Sequence, residues 1–129
     1  MTLGQKVWNI IAYLKEKLGA EVTHAYDFRR HPETFVIAPD TMELEVKTLG
    51  STSFYEVGFT MYHVTPKKNA EQSMQAALQA IDQLEEVIRS DPTLGGNAIS
   101  AWIARVAFNY TDEWAKIVAE ITLRFKLQV

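Results

Sequence analysis

Three histidines, His24, His31 and His63, are the side chains in this sequence that titrate near neutral pH. No two of them stand at the short helical or hairpin spacing that metal ligation needs. They read as partly buried or surface imidazoles, although His24 and His63 can meet across a sheet. Glu43 and Glu45 put two carboxylates on one strand face. Nothing near them in the chain would push their pKa values apart, as acid/base work requires, so they read as a solvated face. Cysteine is absent, which removes disulfides, thiol nucleophiles and thiolate metal sites together. There is no G-x-S-x-G, S-x-x-K, G-x-G-x-x-G or P-loop. Lys67-Lys68 before a helix start reads as a polar connection rather than a phosphate site. Tyr55, Phe59, Trp102 and Phe108 lack the flanking cations of a nucleic-acid stacking platform and read as core.

What remains is Asp91-Pro92-Thr93-Leu94-Gly95-Gly96-Asn97. Proline stops the preceding helix and turns the chain, and the two glycines permit positive φ. Leu94 is an apolar side chain at a loop tip. It either tucks under its own loop or docks on a partner.

A chain of 129 residues suits one domain, residues 1–129, with a core that needs no staple. Thirteen Lys plus Arg against sixteen Asp plus Glu give a net charge of −3. Residues 1–65 hold six basic and eight acidic side chains, and residues 66–129 seven and eight. With no basic block, nothing suggests wrapping of nucleic acid by counterion release. No run approaches the ~20 apolar residues of a membrane span. Val7 to Leu14 is amphipathic rather than apolar all round as a signal peptide is, so a cytoplasm-like compartment is expected.

The elements that must carry these groups follow from periodicity. Leu3, Val7, Ile10, Ile11, Leu14 and Leu18 predict a helix, with Thr2 and Gln5 at capping-box spacing and Gly19 as its left-handed end. From Glu21 the period becomes two. A strand runs from Val22 to Phe28, a turn follows at residues 29–32, and Thr34–Ala38 is a short run ended by Pro39-Asp40. Met42, Leu44 and Val46 predict a half-buried strand, Gly50–Ser53 a turn, and Phe54–Thr65 a strand with Tyr55, Val57, Phe59 and Met61 on one face. An antiparallel meander is the simplest arrangement of these. Asn69 caps a second helix whose stripe is Met74, Ala77, Leu78, Ile81, Leu84 and Ile88, stopped at Ser90-Asp91-Pro92. The next dozen residues fit a helix through Ile99, Trp102, Ile103 and Val106. They fit a strand through Trp102, Ala104, Val106, Phe108 and Tyr110 equally well. Strand is preferred, because residues 111–113 look like a hairpin tip and Ile117–Leu127 alternates cleanly. The order helix, strands, helix, two strands predicts an α+β fold, with two helices packed on an antiparallel or mixed sheet.

The Ile/Leu/Glu-rich helix, Asp-Pro-Thr-Leu-Gly-Gly, a Val/Ile-rich strand, a polar tip and an alternating last strand resemble the tail terminator proteins of long-tailed bacteriophages. These are also called tail-completion or minor tail proteins. The resemblance covers about residues 70–129 in motif, and the whole chain in length and element order. Arg29 to Asp40, with its two prolines, departs from the family's pattern. The resemblance implies a non-enzymatic virion protein, also found in prophages, that assembles in the host cytoplasm and needs no cofactor. It implies a hexameric ring at the head-proximal end of the tail, capping the tail tube protein and meeting a head-completion or connector protein. DNA would pass through the lumen without specific binding, and no membrane would be involved. The candidate contacts are then Asp91, Pro92, Leu94, Gly95 and Gly96, with the turns at 29–33 and 50–53.

Two other readings stand beside it. One is a small α+β enzyme or ligand-binding domain with His24, His63, Glu43 and Glu45 around a pocket. The other is a regulatory dimer paired through its sheet edges.

Overall fold

The computed structural model describes residues 1–23, 33–49, 52–65, 69–110 and 117–129, with the side chains of 39–41, 47–49, 52 and 110 left aside. The turn at 29–32, the tip at 111–113, Lys67-Lys68, His24 and His31 lie outside the described residues. Two helices, α1 (Leu3–Leu18) and α2 (Ala70–Ser90), accompany five described strands. The strands are β1 (Glu21–Val22), β2 (Phe35–Leu49), β3 (Thr52–Thr65), β4 (Ser100–Tyr110) and β5 (Ile117–Gln128). They form one sheet in the order β1-β2-β3-β5-β4. The fold is α+β, as the element order predicts. The sheet is mixed rather than a pure antiparallel meander, because β1 runs parallel to β2 and pairs only with Val36 and Ile37.

Helix α1 starts and stops where its sequence says. The Thr2 hydroxyl accepts the Gln5 N–H while the Gln5 side chain reaches back to the Thr2 N–H, and Gly19 ends the helix at φ 65°. Val7, Ile10, Ile11, Leu14 and Leu18 are buried along one face. Asn69 caps α2 by accepting the Gln72 N–H. The buried face of α2 is rotated from the expected stripe: Ser73 and Ala80 join Ala77, Leu84 and Ile88 inside, while Leu78 is exposed. Small residues at 73, 77 and 80 let the helix lie close over the sheet, and the bulkier Leu78 is left at its flank.

The core lies between the helices and one sheet face. Phe59 and Phe125 meet edge-to-face at its centre, 5.3 Å between centroids, on adjacent strands β3 and β5. In β5, Ala119, Ile121, Leu123, Phe125 and Leu127 all point inward, following the period-two alternation.

Pro39-Asp40 does not end a strand. β2 continues to Leu49, and residues 39–42 together face the single Phe59 of β3, since Ala38 pairs with Thr60 and Glu43 with Gly58. A proline, having no N–H to give a ladder, is tolerated at such a bulge. Beyond it, Leu44 and Val46 lie on the helix side but are exposed rather than half-buried. A second bulge falls at Ala104 in β4, where Ile103 pairs with Leu123 and Arg105 with Thr122. It moves the inward set from Ala101 and Ile103 to Val106 and Phe108, so Trp102 and Val106 do not share a face.

Candidate functional site

The loop after α2 is closed on itself. Asp91 Oδ1 accepts the Thr93 N–H at 3.0 Å and the Thr93 hydroxyl at 2.5 Å, and Oδ2 accepts the Gly95 N–H at 3.0 Å. The Thr93 hydroxyl oxygen in turn accepts the Gly96 N–H at 3.0 Å. These bonds, the Thr93 hydroxyl first and the Gly95 N–H next, hold the Asp91 carboxyl below its ordinary pKa. The Asn97 side-chain amide donates to the Leu94 carbonyl at 3.0 Å and receives Asn9 of α1 at 3.3 Å. Leu94, Gly95 and Gly96 all have positive φ, at 50°, 77° and 81°. Only at Leu94 does this cost strain, since a Cβ crowds the backbone there.

The reason Leu94 sits there is burial. Its side chain is 0% exposed and belongs to the main core. Of the two readings of this residue, the structure has the tucked one: Leu94 anchors the loop and offers no surface to a partner. Pro92, Gly95 and Gly96 form the exposed part. Gly95 lies directly against α1, where an added Cβ would stand 3.1 Å from Tyr13 Cδ2. Asn9, Tyr13 and Asn97 thus complete the loop's docking. The sequence signals part of this in the Asp-x-Thr spacing of a side-chain-capped turn, but the partners on α1 are too distant in the chain to be inferred.

The histidine/glutamate pocket of the enzyme reading is not assembled from the residues expected. His63 faces the helices from β3, paired with Phe35, whereas Glu43 and Glu45 pair with Gly58 and Glu56 on the opposite face. Glu43 there lies 3.5 Å from Arg124, which is also 3.8 Å from Glu56. The carboxylate near His63 is instead Glu33, at the rim of a cavity of about 250 Å³ shared with Thr65, Gln79 and Gln83. Among the described residues no three His, Asp or Glu side chains gather as a metal site, and no helix is long and apolar enough to cross a membrane.

His63 is only 6% exposed, and its Nδ1 has no hydrogen-bond partner. Burial pushes its pKa below 6.5, opposed by its hydrogen bond to the Glu33 backbone and by the Glu33 charge. Folding therefore favours its neutral form, while the unfolded chain takes up a proton near pH 6.5. Its stabilising contribution is whole above that pH and is lost as pH falls from there toward the lower folded value. Urea midpoints at pH 7.5 and 5.5 should show a fall for the native protein that His63→Gln reduces. An equal fall in both proteins would assign it to other groups.

No family model and no curated protein matches the sequence. Comparison of the fold finds a relation. A chain of the structure titled "Virion of native gene transfer agent (GTA) particle" aligns with a TM-score of 0.54, over 98% of this chain and 91% of that one, at 8% identity. The fold is shared with a virion chain. At that identity the likeness is one of architecture.

Proposed function

We propose that this chain is a structural protein of a phage-like virion, and specifically a ring-forming tail terminator. In this role it caps the tail tube and presents the surface that joins the head. The observation that carries the reading is the end-to-end match of fold with a chain of the gene transfer agent virion. The resemblance of residues 70–129 to tail terminators supports the finer assignment. A ring requires a heterologous contact that closes after a fixed rotation. The rigid loop whose exposed residues are Pro92, Gly95 and Gly96 suits a contact that must not rearrange on assembly, since its hydrogen bonds are already made within the protomer. Asp91 holds that shape and Leu94 anchors it, so both act on the contact indirectly. The expected partners are further copies of the chain, the tail tube protein and a head-completion or connector protein. A net charge of −3 suits a lumen through which DNA slides without adhering.

The test uses purified tail tubes from the phage or prophage that encodes the chain. Added protein should cap one tube end with a ring visible by electron microscopy and stop further tube polymerisation. Tubes that keep growing at an unchanged rate in its presence, with bare ends, would reject the assignment.

A further inference from the structure

The sheet face turned away from the helices carries a polar hollow. Phe59, Ile121 and Leu123 point into the core, so Gly58, Thr60, Thr122 and Arg124 beside them face the other way. The bulge in β2 lies opposite Phe59, and the bulge in β4 lies beside Leu123, the partner of Phe59. The two bulges therefore fall at one level of the sheet, and each reverses the alternation of its strand. Unbroken alternation would turn Glu43 and Arg105 toward the helices. Instead Glu43 pairs with Gly58 and Arg105 with Thr122, both on the outer face. Glu43, Gly58, Thr60, Arg105, Thr122 and Arg124 line a hollow of about 420 Å³ there.

The donors in this hollow are underused. The Arg124 side chain is 31% exposed and passes over Gly58, where an added Cβ would stand 3.4 Å from its Cγ and 3.5 Å from a terminal nitrogen. It lies 3.5 Å from Glu43 and 3.8 Å from Glu56. Both distances exceed the roughly 2.7–3.2 Å of an N–H···O hydrogen bond. Arg105 is exposed, and no hydrogen bond or ion pair engages it among the described residues. The Thr60 and Thr122 hydroxyls occupy paired positions on β3 and β5 next to the two arginines.

We propose that this hollow binds a single phosphate group, as inorganic phosphate or a phosphomonoester, through Arg105, Arg124 and the hydroxyls of Thr60 and Thr122. A guanidinium presents a planar fork of N–H donors that matches two oxygens of an oxyanion at once. Two such forks and two hydroxyls call for more acceptors than the two oxygens of a carboxylate supply. Glu45 and Glu56 pair on the same face beside the site, so the neighbouring phosphates of a nucleic-acid strand would meet like charge. An isolated phosphate avoids them. The site lies outside the ring reading and stands whether or not the chain caps tubes.

Heteronuclear NMR of backbone amides and arginine side chains reads the site directly, with sodium phosphate replacing sodium chloride at constant ionic strength and neutral pH. Saturable shifts should be confined to Gly58, Thr60, Arg105, Thr122, Arg124 and their immediate neighbours. Arg105→Gln changes an exposed side chain and should raise the half-saturating concentration roughly tenfold or more, as loss of a charge-assisted hydrogen bond implies. Glu43→Gln removes the competing carboxylate and should lower it several-fold. Phenyl phosphate, titrated in the same way, separates the two sources, since the tighter binder identifies the form the site is built for. Shifts that grow without saturation, or an Arg105→Gln variant that binds as the native protein does, would overturn the proposal. Acetate binding as tightly as phosphate would overturn the choice of anion. A short DNA duplex that saturates the same residues at a lower phosphate concentration would overturn it in favour of nucleic acid.

Discussion

Leu94→Ala is expected to lower the melting temperature by about 8–20 °C. The side chain is fully buried in the main core, and a Leu→Ala truncation at such a site costs roughly 2–5 kcal/mol through lost burial and the cavity left behind. Alanine keeps a Cβ, so the strain of φ 50° is not relieved and offsets none of the loss. For a chain of this length each kcal/mol corresponds to about 4 °C. The effect should exceed that of Pro92→Ala in the same loop, since Pro92 is exposed. The consequence for function is specific. With the anchor gone, the Asn9–Asn97 hydrogen bond and the Gly95–Tyr13 contact are left to hold the loop against α1, and on the proposed role tube capping should weaken at temperatures where the protomer is still folded. Thermal melts followed by circular dichroism check the first part and electron microscopy of tubes the second. A drop of under 2 °C would mean that the loop carries itself without its core contact.

Phe125→Ala should destabilise by roughly 3–5 kcal/mol, the range for a fully buried Phe truncation. Phe125 stands on β5, between β3 and β4, with Val57 on one side and Ala101 on the other. Its ring packs edge-to-face on Phe59, a geometry that adds about 0.5–1.5 kcal/mol to area burial alone. Since small domains are stable by only about 5–15 kcal/mol, this one change removes a large share. Phe125→Leu retains most of the volume and should cost clearly less, at a similar urea m-value. If both variants unfold at the same urea concentration, the aromatic pair and its packing contribute nothing and the cost lies elsewhere in β5.

Much of the architecture is legible in the chain because local chemistry is enough to specify it. The capping box at Thr2 and Gln5, Gly19 at the end of α1, and Asn69 at the start of α2 each satisfy backbone groups within a few residues. The alternation from Ile117 to Leu127 reads directly, because β5 is a central strand with no bulge among its pairs to β3. The closure of the loop around Asp91 is local in the same way.

The ambiguity of residues 99–110 has a physical origin. The bulge at Ala104 shifts the inward set by one residue, so Ile103 and Val106 share a face three positions apart. That is the spacing of a helix, and no local rule separates the two. The bulge after Ala38 misleads in another way, since Pro39 reads as a strand end when it is an interruption within a longer strand. The exposed flank of α2 was hidden for a third reason. Helical periodicity shows which residues are apolar, but the depth to which Leu78 sinks depends on how closely Ser73, Ala77 and Ala80 let the helix approach the sheet.

Sequence alone therefore determined the helices, their ends, the α+β class and the turn that follows α2, because each rests on contacts within a few residues. Tertiary structure decided the fate of the groups that depend on distant partners. It buried Leu94, separated His63 from Glu43 and Glu45, and left Trp8, Leu44, Val46 and Leu78 exposed. Strand register and bulges set which face a residue occupies, and that is a property of two strands together rather than of either one.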